Sequence, residues 1–343
     1  MQIPCDVMYP FSATAVTDKF IKMFEDHYAF NHYCIEPAQA VSSRYDASVF
    51  LIGSSISVLK PYLRNNNIPR NGISIVQPAI RTQQLKNLYR EDGYFSEWAS
   101  YFIGLGTLVN YAQLDKMIID TYHYLIRLGI VENDILIRAS TLDEDLVSAC
   151  NNTIPHIQLE TDTRPLNYYK HTYGMDSEQI RGRNLNIAIR DVRRNEFLDM
   201  GNIIVIERNG KGFALESALG LSTIIARMYG CTHTTQATPI ADYFECTDYR
   251  RCKFADCVSV VSQLVVEGVY PNSSRIHGRI LKKYIQGIRW LSEKLNISDV
   301  DVITIFANYI EQHYQMEKTK VQVTTDTLRM YLGFMARGNH DAI

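Results

Sequence analysis

The chain of 343 residues carries 35 Lys and Arg against 37 Asp and Glu, and 46% of its residues are hydrophobic. Length and hydrophobic content predict about two globular domains with buried cores. A net charge of −2 excludes a global positive field, so an RNA partner would need a local basic patch. Neither a signal-peptide pattern nor a run of 18 apolar residues occurs, so we expect a cytoplasmic protein without a membrane segment.

Seven cysteines stand at irregular spacings, which does not indicate a disulfide framework. Thiolates and imidazole can hold tetrahedral zinc, which makes one group worth considering. Its members are Cys231, His233, Cys246, Cys252 and Cys257. No C-x-x-C pair occurs among them, so we predict buried free thiols and no metal site.

The first part of the chain mixes helical and strand patterns. Apolar residues at helical spacing predict a helix over 18–30, and the run DKMIIDTYHYLIRL predicts another over 115–128 that ends at Gly129. Apolar, β-branched runs predict strands over 47–56, 72–80, 101–110 and 134–139. A long polar stretch separates the second and third of these strands, which predicts an antiparallel pair joined by a long loop.

The later part changes from strands to long helices. The patterns predict strands over 184–191 and 202–207, and a helix over 214–229 that stops at Gly230. Amphipathic helices are predicted over 254–267, 278–295 and 300–314, the last with Ser298 as its N-cap. The change of character predicts two domains, 1–245 and 246–343.

Four stretches resemble alanyl-tRNA synthetase. Residues 46–61 (DASVFLIGSSISVLKP) resemble the family's D-P-T-L-L-F-T-N-A-G-M-x-x-F-K-P, and residues 77–106 resemble its motif 2, which ends in F-F-E-M-L-G. Residues 197–227 are similar to F-x-E-I-W-N-L-V-F-M-Q followed by motif 3, D-T-G-M-G-L-E-R. Residues 255–285 resemble a longer pattern that includes D-G-V-x-P-x-N-x-x-R-G.

The resemblance implies an α+β fold: a class II synthetase-type antiparallel sheet flanked by helices, followed by a helical domain that holds the tRNA acceptor stem. It implies an enzyme that joins alanine or an analogue to ATP with Mg²⁺, and a homodimer.

On the nucleotide side, the resemblance places Arg81 at the position of the arginine that binds the α-phosphate. A planar guanidinium suits this role because it donates two parallel hydrogen bonds. Asn87 and Phe102 fall in register with other motif 2 positions. The motif 3 arginine falls on Thr223 instead, and Arg227, one helical turn later, is the candidate substitute, the alternative being a surface arginine. The motif 2 glutamate is likewise missing.

On the amino-acid side, the resemblance assigns Asn202, Glu216 and Gly220. Glu216 falls on the family's aspartate, which pairs with the substrate ammonium. The alternative for Glu216 is a solvent-exposed carboxylate at a helix start, where the helix dipole favours negative charge. Gly201 replaces a tryptophan, which predicts a different pocket shape.

The helical domain carries cations beside an apolar stripe. The spacing of Arg279, Lys282 and Lys283 could follow RNA phosphates. The alternative is an ordinary solvent-exposed helix face. The turn before them, with Asn272 and Arg275, resembles the family's tRNA-contacting element.

Three functions remain open. The first is an enzyme that activates an aminoacyl group or transfers it to tRNA, a carrier protein or a small amine. The second is a non-catalytic paralogue that acts as a regulator or subunit. The third is an aminoacyl-tRNA-binding acyl transferase that does not use ATP. The preserved Arg81 and Asn202 favour the first, whereas the lost motif 3 residues favour the others.

Overall fold

A computed structural model describes residues 11–154, 156–163, 169–175, 178–271 and 274–338. Within these residues the fold is mixed α+β, and nine strands form a large, mostly antiparallel sheet in the order β1-β2-β3-β9-β8-β7-β4-β5, with β6 paired to β7. The pairs β1–β2 and β4–β5 are parallel. The strands are β1 Cys34–Glu36, β2 Ile73–Ile80, β3 Tyr101–Asn110, β4 Ile135–Ser140, β5 Gln158–Asp162, β6 Lys170–Thr172, β7 Ile180–Asp191, β8 Glu196–Arg208 and β9 Lys211–Gly220.

Helices flank the sheet and follow it in the chain, as the predicted fold class requires. They are α1 Ala13–Phe30, α2 Ile56–Asn65, α3 Leu114–Arg127, α4 Glu144–Thr153, α5 Leu221–Tyr229, α6 Tyr249–Val266, α7 Ile276–Leu295, α8 Asp299–Gln312 and α9 Lys318–Gly338. Among the described residues, none of these helices combines the length and hydropathy that a membrane span needs.

The chain divides into two compact units, neither of which is continuous in sequence. The sheet unit consists of Phe20–Arg81 and Tyr101–Gly230. The helical unit takes the described residues of 1–19, 82–100 and 231–343. The division between 245 and 246, predicted from the change from strands to long helices, stays a prediction.

Several predicted elements are confirmed. The predicted antiparallel pair is β2 and β3, in a register that runs from Ile73 opposite Leu108 to Ile80 opposite Tyr101. Helix α3 ends as predicted, and Gly129 takes a positive φ of 95° that a residue with a side chain rarely adopts. The Ser298 hydroxyl accepts from the Asp301 N–H at 3.1 Å, which confirms the N-cap of α8.

Two predicted elements are wrong. Residues 47–55 are irregular chain that leads into α2, although the backbone of Ile52 makes single hydrogen bonds to Val41 and Ile80. The predicted helix over 214–229 begins at Leu221, because the preceding residues form β9 between β3 and β8. Both errors concern short apolar runs, whose periodicity does not separate strand, helix and buried coil.

The core of the sheet unit lies between the sheet and α2. Ile73 of β2, Leu108 of β3 and Ile204 of β8 pack with Ile56 and Leu59 of α2, and all five are at most 7% exposed. This packing places α2 over one face of the central strands, the face that also carries the polar residues described next.

Candidate functional site

A row of polar side chains crosses the sheet face beneath α2. Glu216 of β9 lies opposite Ile204 of β8, which in turn lies opposite Asn184 of β7. Two residues further along the strands, Asn202 lies opposite Asn186. Because opposed residues share a face and side chains alternate with a period of two, all four polar residues point to the same side.

Glu216 is a buried strand residue, so the alternative of a solvent-exposed carboxylate at a helix start is wrong. The residue is 2% exposed, and the Tyr173 hydroxyl donates to its Oε2 at 3.0 Å. Burial raises the pKa of Glu216 to about 7, although the Tyr173 hydrogen bond and the charges of Lys60 and Arg81 oppose the rise. This carboxyl group therefore changes charge near neutral pH.

Lys60 of α2 forms a buried ion pair with Asp46. Both residues match the family pattern over 46–61. Lys60 Nζ donates to Asp46 Oδ2 and to Ser48 Oγ, each at 2.7 Å. Burial alone would raise the pKa of Asp46, but hydrogen bonds from Lys60 and Ser48 outweigh it and lower the pKa. The pair ties the irregular 47–55 segment to α2.

Arg81 and Phe102 come together at the end of β2. The Arg81 guanidinium lies over the Phe102 ring, 4.8 Å from its centroid, and its Nε donates to the Gly53 carbonyl at 3.1 Å. Part of Arg81 reaches the surface, but the atoms around its guanidinium desolvate it and lower its pKa, which the charge of Glu216 partly offsets. Arg81 stays charged, because arginine is not deprotonated in proteins.

The three asparagines form one hydrogen-bonded group. Asn186 Oδ1 accepts one hydrogen bond from Asn184 Nδ2, at 2.6 Å, and a second from Asn202 Nδ2. Asn186 Nδ2 donates to Asp199 Oδ2 at 3.3 Å. Asn202 is thus held in place by its neighbours on β7, on the same face as Glu216.

Gly220 and Gly201 stand where the backbone leaves little room for a side chain. Gly220 joins β9 to α5, and a Cβ there would lie 3.1 Å from Thr223 Oγ1. A Cβ at Gly201 would lie 2.6 Å from the Ala218 carbonyl oxygen. Close packing of β8 against β9 therefore requires Gly201, whatever the shape of the pocket.

His171 and Tyr173 are site residues that sequence reasoning missed. His171 lies opposite Gly182 in the β6–β7 pair, two residues from Asn184. The pKa of His171 is lowered, chiefly by burial and further by the charge of Arg81, against an opposing interaction with Asn184. No local pattern could have identified either residue, because β6 is three residues long and long-range pairing alone brings it to this face.

The other two nucleotide candidates have different surroundings. Arg227 is buried in α5, where its guanidinium pairs with Asp191 at 3.3 Å, so the surface alternative is wrong. Asn87 belongs to the helical unit, where its backbone carbonyl accepts a hydrogen bond from Lys253 Nζ at 3.0 Å. The roles of Arg227 and Asn87 in binding ATP stay predictions.

No group of three or more His, Cys, Asp or Glu is placed to hold a metal ion among the described residues. Cys231, Cys246, Cys252 and Cys257 are buried free thiols.

The predicted cationic face of α7 is exposed. Arg279, Lys282 and Lys283 point to solvent, and Arg275 stands just before the helix. Asn272 lies outside the described residues. The predicted apolar stripe is buried, and its members are Ile280, Leu281, Tyr284, Ile285 and Ile288.

No protein-family model matches the sequence, and no curated protein matches it. Solved structures do. A histidyl-tRNA synthetase from S. aureus aligns at 10% identity and a TM-score of 0.41, covering 66% of this chain and 70% of that one. A putative threonyl-tRNA synthetase from Aeropyrum pernix aligns at 9% identity and a TM-score of 0.44, covering 74% of this chain and 70% of that one. The RNA binding domain of threonyl-tRNA synthetase from Cryptosporidium parvum aligns at 10% identity and a TM-score of 0.43, covering 84% of each chain. Each of the three aligns at 10% identity or less and with a TM-score below 0.5.

Proposed function

We propose that this chain is an alanyl-tRNA-synthetase-like protein that binds an amino acid and ATP on the sheet face and activates or transfers the aminoacyl group. The observation that carries the proposal is the position of Arg81, whose guanidinium lies over Phe102 on the strand face that also carries Glu216. The acyl acceptor would be a tRNA, a carrier protein or a small amine, and the protein would act in the cytoplasm.

Each site residue has a definite task in this proposal. Arg81 donates to the α-phosphate and neutralises the charge that develops as the carboxylate attacks. Glu216 pairs with the ammonium of alanine or an analogue, and Asn202 orients the substrate. Since Tyr173 already donates to Glu216, the ammonium has to replace or share that hydrogen bond.

ATP would bring its own Mg²⁺, because the described residues offer no carboxylate cluster for the metal. Thr223, at the position of the γ-phosphate arginine, is buried and uncharged. Loss of one preorganised donor of this kind typically costs about 2.7–4 kcal/mol of transition-state stabilisation. We therefore expect slow adenylation unless a second chain, as in a homodimer, or another partner supplies charge.

A second candidate function is an aminoacyl-tRNA-binding or regulatory protein that does not use ATP. The Tyr173–Glu216 hydrogen bond favours it, because this contact fills the position that a substrate ammonium would take. The buried Arg227–Asp191 pair favours it too, since Arg227 could reach a phosphate only by leaving Asp191.

The test is calorimetric titration with ATP·Mg and with the twenty amino acids, followed by amino-acid-dependent pyrophosphate exchange. We expect Arg81→Ala to lower exchange by roughly 10²- to 10³-fold. Arg64→Ala is the matched control, because Arg64 is an exposed arginine of the same unit that pairs with Glu178 at 3.1 Å. Exchange equal in both variants would overturn the role of Arg81, and absence of nucleotide binding would favour the second candidate.

A further inference from the structure

The exposed cations of α7 are followed, further along the same helix, by Trp290, which contacts Tyr89 of the 82–100 segment. Arg279 is followed after three and four residues by Lys282 and Lys283, these by Gln286, and Gln286 after four residues by Trp290, which places all five along one side of α7. At a rise of 1.5 Å per residue, this strip from Arg279 to Trp290 is about 16 Å long. We call it the α7 strip.

Trp290 at the end of the α7 strip carries a second aromatic ring beside it. The Tyr89 ring meets Trp290 edge to face, with centroids 5.3 Å apart, and Tyr89 is 50% exposed. Gly287 explains how Tyr89 reaches this position. A Cβ at Gly287 would collide with Leu88 Cδ2, so the missing side chain lets Leu88 seat on α7 and holds its neighbour Tyr89 against Trp290.

Charge along the α7 strip is uneven. Arg279, Lys282 and Lys283 are exposed, and within the described part of the chain no carboxylate forms an ion pair with them. The cations nearer the aromatic pair are compensated: Arg289 bonds to Glu293 and Asp299, and Lys294 bonds to Glu91 at 2.7 Å. The strip thus offers uncompensated positive charge at one end and aromatic surface at the other.

We propose that the α7 strip binds a single-stranded RNA segment, with phosphates on Arg279, Lys282 and Lys283 and an unpaired base stacked on the Trp290–Tyr89 pair. Cations that follow a backbone beside an aromatic ring are the arrangement that single strands use, and here the exposed ring is Tyr89 beside the half-buried Trp290. Inside a duplex each base is stacked on its neighbours, so only the terminal pairs leave a face open to Trp290. The inference rests on the proposed function for its class of partner, because an RNA acceptor is one of the acyl acceptors named there, and it identifies the strand form that is bound.

Intrinsic fluorescence tests the inference, because the chain has two tryptophans. In the full-length Trp98→Phe protein, Trp290 is the reporter, and an RNA octamer is titrated against it. We expect quenching by the octamer, little quenching by the same sequence in a blunt duplex, and weaker quenching by an octamer with abasic positions. The Trp290→Phe protein, in which Trp98 reports, is the matched control and should show little quenching.

Affinity gives a second measurement that does not depend on fluorescence. Trp290→Leu should weaken octamer binding by roughly 5- to 100-fold while leaving the salt dependence unchanged, since it removes a stacking contact and no phosphate contact. The abasic octamer makes the same test with the unaltered protein, so a variant that fails to fold does not decide the outcome. Equal binding of intact and abasic octamers, or a preference for the duplex, would overturn the inference.

The result is separable from the proposed function. Pyrophosphate exchange depends on the sheet face and needs no RNA, whereas octamer binding depends on α7. Exchange without selective octamer binding would refute the α7 strip alone, and octamer binding without exchange would refute adenylation alone.

Discussion

The two units use charged residues in opposite ways. On the sheet face, Glu216 and the Lys60–Asp46 pair are almost inaccessible, and each has a close polar partner. On α7, Arg279, Lys282 and Lys283 face water without a carboxylate partner in the described part of the chain. Charges of the first kind hold the fold together, and burial raises the pKa of Glu216 whereas hydrogen bonds lower that of Asp46. Charges of the second kind are available to a partner at little cost to stability. Substitutions should therefore separate the two groups.

The largest expected effect is on the buried ion pair. Lys60→Met leaves the Asp46 carboxylate buried without its cation, and we expect the free energy of unfolding to fall by about 3–5 kcal/mol in urea denaturation. The side chains of the pair are 5% and 0% exposed.

The matched control is Lys22→Met, which removes a lysine paired with Asp26 where the side chains are 73% and 50% exposed. That loss should stay below about 1 kcal/mol, because exposed pairs contribute little. Similar losses in both variants would show that the Lys60 pair is not a structural element of the sheet unit.

The next effect concerns pH. The pKa of Glu216 is about 7 in the folded protein against an ordinary value of 4.5, so the folded state holds this proton more tightly than the unfolded state. Its contribution to stability is complete below pH 4.5 and is lost as the pH rises to about 7. Between pH 5 and pH 8, the unaltered protein should lose roughly 2–3 kcal/mol more unfolding free energy than Glu216→Gln.

Urea denaturation at both pH values measures this difference. Glu25→Gln, at an exposed carboxylate of α1 in the same unit, is the control and should keep the pH dependence of the unaltered protein. If Glu216→Gln also kept it, Glu216 would not be the group that titrates.

The smallest effect on stability is expected on α7. Replacing Lys282 and Lys283 together by Ala should change the unfolding free energy by no more than about 0.5 kcal/mol, because both side chains are exposed and the described part of the chain gives them no ion-pair partner. The same variant should reduce the slope of log affinity against log salt for an RNA octamer by about 1.4, since each phosphate contact on a single strand contributes about 0.7. A stable protein with an unchanged slope would remove these lysines from the RNA site.

The sequence determined the fold class and most of the regular elements. Long periodic segments such as α3 and α7 were predicted correctly, because an amphipathic stripe has one stable arrangement against a core. The pair β2–β3 also followed from its β-branched runs and the long polar stretch between them. The cationic face of α7 was predictable for the same reason, since helical spacing alone places charges opposite the buried stripe.

The environment of the candidate site was decided by tertiary structure. Glu216 stands in a run of small and apolar residues that suits a helix as well as a strand, and pairing of β9 with both β3 and β8 made it a buried strand residue. Its partner Tyr173 and the nearby His171 come from a segment with no periodic pattern. The sequence by itself fixed which local periodicities could form, whereas burial, pKa and hydrogen-bond partners depend on contacts between distant segments, which no local pattern encodes.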